Sequence, residues 1–368
     1  MVQRTDVFVI GGGPAGLAAA IAARRKGFSV VVADGGQPPI DKPCGEGLLP
    51  DALTALQQLG IVLGESEGYP LRGVRFVGES SEVTASFPGR AGIGIRRPVL
   101  HQKLVEEASA LGVSLSWRTP VTGICSQGVR VEKNVISAKW IVGADGIGSR
   151  VRRWTGLDAY TSDKRRYAVT RHYRVKPWSD WMEVHWGKSA QAYVTPVSDE
   201  QVCVALISRH AETRLASIGR EFPRLSRSLA TVESIETERG AITVMRRLTR
   251  VYRGNVVLVG DASGSVDAIT GEGLSLGFRQ GLALSEALVS GDLRSYQAVH
   301  RRLARRPALM ARLMLLLDGR TALRERAIRA LGSDLRVFSR LVAAHVGAAS
   351  NTSFAATGAL LGWRLVAA

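Results

Sequence analysis

The chain has 368 residues, 45% of them hydrophobic and 22% charged, a balance that excludes wholesale disorder, collagen-like repeats and long coiled coils. Forty-nine Lys and Arg against 32 Asp and Glu leave a net charge of +17, so nucleic acid, an anionic membrane surface or an acidic carrier stand as candidate partners. Cys44, Cys125 and Cys203 lie far apart and the six histidines include no H-E-x-x-H pair, so neither a disulfide framework nor a protein-held metal is expected.

The length suits two domains, or one large fold carrying a grafted second one. The apolar stretch near the start is preceded by Asp6 and followed by Arg24, Arg25 and Lys26 instead of a small-residue cleavage site, unlike a signal peptide. No apolar run reaches the ~18 residues of a membrane span. The expected location is the cytoplasm, with a peripheral membrane contact as a further option.

In chain order, Val7 to Ile10 reads as a central parallel strand buried on both faces. Gly11, Gly13 and Gly16 then spell G-x-G-x-x-G, and Pro14 to Lys26 reads as a helix rich in alanine and leucine. The first glycine permits a tight turn, the second lets backbone approach a pyrophosphate, and the third lets helix pack on strand. Pro14 starts the helix without an N–H of its own, and the free N–H groups that follow it at Ala15 and Gly16 would hold the phosphates. Phe28 to Ala33 is the next strand, and Asp34 at its end suits the hydroxyls of an adenosine ribose. Strand, glycine loop, helix, strand and acid in that order predict dinucleotide binding.

Three later segments choose the dinucleotide. Arg97, Leu100 and Leu104 open a helix in an R-x-x-L-x-x-x-L pattern, Lys139 to Val142 leads into Asp145 and Gly146, and Asn255 to Val259 leads into Gly260 and Asp261. Thr270 to Leu274 then opens a long helix reaching about Leu288. With these segments the chain resembles the FAD-dependent aromatic hydroxylase superfamily, which includes geranylgeranyl reductases and flavin-dependent halogenases. The resemblance spans Met1 to Leu288. It implies an α/β fold of the Rossmann-type, glutathione-reductase-like FAD-binding class, with an inserted mixed β-sheet substrate domain and a C-terminal helical segment.

The boundaries expected are 1–70, 97–165 and 251–293 for FAD, 71–96 and 166–250 for substrate, and 294–368 for the helical segment. The resemblance further implies FAD contacts at Arg97, Val121, Asp145, Gly146 and Asp261, with NAD(P)H visiting transiently as electron donor. Gly271, Gly273 and Leu274 also have a reading of their own. A helix N-terminus carries partial positive charge, suited to the pyrimidine ring of a reduced flavin.

Two local motifs mislead. Gly273 to Gly277 spells G-x-S-x-G, but its serine falls inside a helix instead of at a strand end. Gly187, Lys188 and Ser189 echo a P-loop, but Met182 stands where glycine is required.

On the substrate side, alternation from Trp181 to Trp186 and strands over Gln191–Thr195 and Gln201–Ile207 predict a sheet. Trp186 and Tyr193 are candidate walls of an apolar pocket, with ordinary sheet packing as the alternative. Lys42 to Gly47 resembles the K-x-C-G loop of geranylgeranyl reductases, which makes Cys44 a candidate proton donor, assisted by Glu46. The halogenase lysine has no counterpart between Lys42 and Lys103.

The leading expectation is an NAD(P)H-dependent FAD monooxygenase, a hydroxylase or epoxidase acting on a small apolar aromatic or isoprenoid-like substrate. The alternative is a reductase that saturates alkene bonds. Behind these come a halogenase and a non-catalytic or RNA-associated flavoprotein, and nucleic acid is not favoured because no basic motif interleaved with aromatics is present.

The charge concentrates near the end. Between Arg294 and Ala348 there are twelve arginines and three acids. Leu303, Leu309, Met310, Leu313, Met314 and Leu317 trace an apolar helical face there. These basic helices are read as an appendage covering the FAD domain, with an anionic membrane surface or an acidic carrier protein as its alternative role.

Overall fold

Val7, Phe8 and Val9 are wholly buried, so Arg4–Ile10 takes the middle of a parallel sheet covered on both faces. In the computed structural model, which describes residues 4–64, 66–158 and 165–349, its neighbours are Asn134–Gly143 and Val30–Ala33. In register, Val9 stands beside Val142 on one side and Val32 on the other. Val256–Leu258 and Ser114–Ser116 extend the sheet in parallel, and Tyr252–Arg253 closes one edge antiparallel. Pro14–Arg25 and Gly273–Ser290 pack together, and a Cβ at Gly281 would come within 2.8 Å of Ala19 N, so only glycine permits the approach. This is the Rossmann-type α/β fold expected.

A second sheet of seven strands runs in the order Arg239–Val244, Arg165–Arg174, Gln201–Ser208, Ala190–Ser198, Trp181–Trp186, Gly73–Val77 and Glu82–Ser86. All its pairings are antiparallel except Trp181–Trp186 with Gly73–Val77, where chain from two separate segments meets. Short helices Ile218–Glu221 and Pro223–Leu229 cover one face through Ile218, Leu225 and Leu229.

The other face receives the C-terminal helices Leu293–Asp318, Thr321–Ser333 and Leu335–His345. Here the expectation of an appendage over the FAD domain is corrected. Leu293 and Tyr296 do join the FAD-side core. Beyond them, Ala311, Met314, Ile328, Leu331, Phe338 and Val342 share one core with Val74, Val83, Val184 and Tyr193 of the second sheet. The helices pack where the apolar surface is, because their own apolar stripes need a partner of matching size. Residues 350–368 of the expected segment lie outside the described residues.

A buried polar cluster fastens this roof. Arg166 bonds Asp267 at 3.1 Å and also Gln191, which donates to Asp318 at the end of the long helix; Arg209 pairs with the same carboxylate. Mutual pairing is what makes such charges tolerable out of water.

Candidate active site

Gly11 adopts φ +112°, and a Cβ on Gly16 would stand 1.9 Å from Gly11 O, so chain crossing alone demands glycine at both positions. Gly13 has no atom within 4 Å of where its Cβ would be, and it opens the helix without a side-chain cap. Its face is therefore bare backbone with unclaimed N–H groups, as an anion site needs. Asp34 accepts the N–H groups of Gly12 and Gly36, each at 2.7 Å, which fixes the carboxylate beside the loop. Thr119 N–H donates to Asp34 O at 2.8 Å; Val121, two residues on, is buried and takes no part in the cavity wall described below.

His101, wholly buried, escaped notice in the sequence. Its Nδ1 accepts from Ile40 N at 3.3 Å, so Nε2–H donates to Gly12 O at 2.8 Å, and burial pushes the imidazole below its ordinary pKa. The only signal was its place one turn after Arg97 on the helix Arg97–Ala110.

Asp145 departs from the role the resemblance implied. Its carboxylate accepts from Ser149 Oγ at 2.5 Å, Arg150 N at 2.6 Å and Val151 N at 3.1 Å, capping the helix Arg150–Trp154 and standing outside the cavity wall. A free helix N-terminus draws the nearest carboxylate. Gly146, at φ +76°, does line the cavity. Arg152, read only as part of a basic helix, is buried and donates to Asp158, Ala262 O and Ile147 O, joining the Asp145–Gly146 and Gly260–Asp261 loops.

Asp261 faces the cavity. Its side chain is open to the cavity, and the loops that enclose it push the carboxyl above the ordinary aspartate range, against the pull of Arg97, Lys42 and Arg152. Gly271 adopts φ +68°, and Gly271, Gly273 and Leu274 line the cavity where the helix Gly273–Ser290 starts with no side-chain cap. Arg97 reaches the same space, and its buried Nε makes no hydrogen bond.

These features fit a bound FAD. Two uncapped helix starts, an orphaned guanidinium nitrogen and the bare face of Gly13 are unmet donors facing one space. Gly13 to Ala15 and Arg97 would hold the pyrophosphate, Asp261 the ribityl chain, and Gly271 to Leu274 the ring.

From these loops a cavity of about 850 Å³ extends under the second sheet and the C-terminal helices. Its far walls are apolar, with Val74, Phe76, Met182 and Val184 from the sheet and Met314, Leu331, Phe338 and Val342 from the helices. Tyr193 lines it, but its hydroxyl is committed to Ile269 O at 2.6 Å, and burial pushes its phenol strongly up. Trp186 does not line it. The strand runs past the cavity, and Trp186 ends up buried against Phe76, under the guanidinium of Arg324. His345 and Thr170, neither anticipated, are polar wall residues; His345 bonds Thr270 O at 3.1 Å and faces Glu272 at 3.6 Å.

Cys44 lies on the wall, and burial pushes its thiol up, so it stays protonated at neutral pH. Glu46, also in the wall, is not a free acid. Buried and at φ +56°, it accepts from Arg97 N and His172 Nε2, both at 2.7 Å. That shapes the loop and holds Arg97 in place. Glu46, His172 and Cys203 also bring ligand-type atoms within 4.8 Å of one another. Arg96 stands 3.7 Å from the same carboxylate.

A glycine loop on a parallel sheet, a cofactor face of unmet donors and an attached apolar chamber define an FAD-binding flavoprotein. Residues 4–291 match the FAD binding domain family, and the chain belongs to it. It is an FAD-dependent oxidoreductase. It is similar to menaquinone reductase of Mycolicibacterium smegmatis, 28% identical over 336 residues that cover 81% of this chain and 80% of that one. It is also similar to digeranylgeranylglycerophospholipid reductase 1 of Methanothermobacter thermautotrophicus, 28% identical over 329 residues and 80% of each. A geranylgeranyl bacteriochlorophyll reductase-like structure from Thermoplasma acidophilum superposes with a TM-score of 0.78 at 19% identity, covering 100% of this chain and 98% of that one.

Proposed function

We propose that this protein saturates carbon–carbon double bonds of an isoprenoid chain, with NAD(P)H as the electron source. The observation that carries the reading is the long apolar cavity, which begins at the cofactor loops and ends among Phe338, Val342 and Met314. An isoprenoid tail matches the apolar far walls, because each buried methylene contributes about 0.8 kcal/mol. The names of the two curated relatives point to the same substrate class.

Bound FAD supplies hydride. Saturation of a double bond also needs a proton, and Cys44 Sγ holds one on the same wall. Glu46 keeps the Cys44 loop in shape, and its backbone N–H donates to Cys44 Sγ at 3.4 Å. The apolar walls keep water away from the bound chain.

The test is anaerobic turnover of a polyprenyl substrate with NADH or NADPH, read by mass spectrometry. The expected product is heavier by two hydrogens, and Cys44→Ser lowers its rate about a hundredfold, the usual scale for losing a general acid. Hydroxylation or epoxidation, the first expectation from sequence, is the second reading, favoured by the same water-excluding walls. A product heavier by one oxygen, formed only in air, would decide for it.

A further inference from the structure

The cavity has a mouth of unusual composition. Leu309, Leu313 and Leu316 line it from the long helix, yet they are 42%, 41% and 44% exposed. Across from them Ile242, on the edge strand Arg239–Val244, also lines the cavity and is 48% exposed.

Helix geometry shows that these leucines point away from the core. At about 100° per residue, positions 309, 313 and 316 form one stripe, opposite the buried stripe of Pro307, Ala311, Met314 and Asp318. Arg302, Arg305 and Arg312 share that outer half, are exposed, and form no ion pair with any described residue. The mouth is thus an apolar lip with a cationic border. Water gains nothing from such a lip, and no other part of the described chain covers it. No helix among the described residues is long and apolar enough to cross a membrane, so a bilayer contact here would be made at its surface.

We propose that the lip formed by Leu309, Leu313, Leu316 and Ile242 docks on an anionic lipid bilayer. The leucines enter the headgroup boundary, while Arg302, Arg305 and Arg312 meet the lipid phosphates. Docked in this way, the mouth opens into the hydrocarbon, and a lipid-borne substrate reaches the cavity without crossing water. Charge complementarity selects the occupant: twelve arginines against three acids between Arg294 and Ala348, with Asp318, one of those acids, consumed by Arg166 and Arg209. The proposal extends the isoprenoid reading to how substrate arrives, but its assay measures binding alone and stands or falls without turnover.

The experiment is co-sedimentation of the full-length, FAD-loaded protein with phosphatidylcholine vesicles, with and without phosphatidylglycerol, over a range of salt. Binding is expected on the anionic vesicles and should weaken with salt, since the Debye length falls from about 10 Å at 0.1 M to about 3 Å at 1 M. The triple variant Leu309→Ser, Leu313→Ser, Leu316→Ser should weaken binding about tenfold or more. Arg302→Glu, Arg305→Glu, Arg312→Glu should erase the preference for phosphatidylglycerol. Retained flavin absorbance shows that each variant is folded, and Leu335→Ser, at a 54% exposed leucine outside the cavity wall, should bind as the parent does. Binding untouched by the leucine variant would overturn the proposal, leaving charge alone. Retention on polyglutamate with no vesicle binding would overturn it in favour of an acidic polypeptide.

Discussion

Asp261 shows how a cofactor site stores a cost in its empty form. Its side chain opens onto the cavity, yet the enclosing loops raise its carboxyl more than Arg97, Lys42 and Arg152 lower it. The sign of the pH effect follows. Below the ordinary aspartate range both folded and unfolded chains hold the proton, and Asp261 has no differential effect. As pH rises above that range the unfolded chain releases its proton first, so the apo fold loses stability. Asp261→Asn should therefore raise the thermal midpoint of the FAD-free protein at neutral pH, and the gain should vanish in strong acid. The same variant should weaken FAD binding about tenfold, the scale of one lost charged hydrogen bond. A midpoint unchanged at neutral pH would show that the cations, with the water that reaches the open side chain, already hold the carboxylate charged. Cys44 and Asp261 were visible in the sequence because each sits in a local motif. His101 and Arg152 were not, because their partners Gly12 and Ala262 lie about 90 and 110 residues away.

At the scale of elements, the long helix Leu293–Asp318 was misjudged for a physical reason. Its arginines and apolar stripe were both legible, but the surface that the stripe covers is assembled from Val74, Val83 and Val184, more than a hundred residues earlier. Periodicity reports that a face must be buried, not against what. Trp186 failed in a related way: alternation gave the correct sheet face, while the extent of the cavity along that face depends on tertiary packing. The helix is also pinned to the FAD lobe by His300, which is buried and bonded to Ser263 Oγ at 2.8 Å. Burial pushes its imidazole down to about 4. Below the ordinary histidine range the unfolded chain takes up a proton that the folded one refuses, so stability present above about pH 6.5 falls as pH drops toward 4. The full effect is on the order of 3 kcal/mol. His300→Gln should flatten the stability profile across that window, as read by urea unfolding at a series of pH values. A profile as steep as the parent's would place the acid sensitivity elsewhere.

For the whole molecule, the two lobes communicate through the cofactor loops. Segments that face the cofactor run from Gly13 to Leu274, so only the folded chain can assemble them, and FAD must stabilise the fold by mass action. At a hundredfold excess over its dissociation constant the gain is about 3 kcal/mol, and stripping FAD should lower the thermal midpoint accordingly. The loss should not be uniform. His345, on the last described helix, bonds Thr270 O at 3.1 Å beside the Gly271 loop and faces Glu272, so loosening that loop loosens the helix Leu335–His345. Hydrogen exchange on FAD removal should therefore rise at Gly11–Gly16, at Gly271–Leu274 and along Leu335–His345. The helix Pro223–Leu229 packs on the opposite face of the second sheet and should keep its protection. If exchange rose in both helices alike, cofactor and roof would be coupled only through global stability. If it rose in neither, the Thr270–His345 contact would carry no coupling, and the cavity roof would keep its shape whether or not the flavin is there.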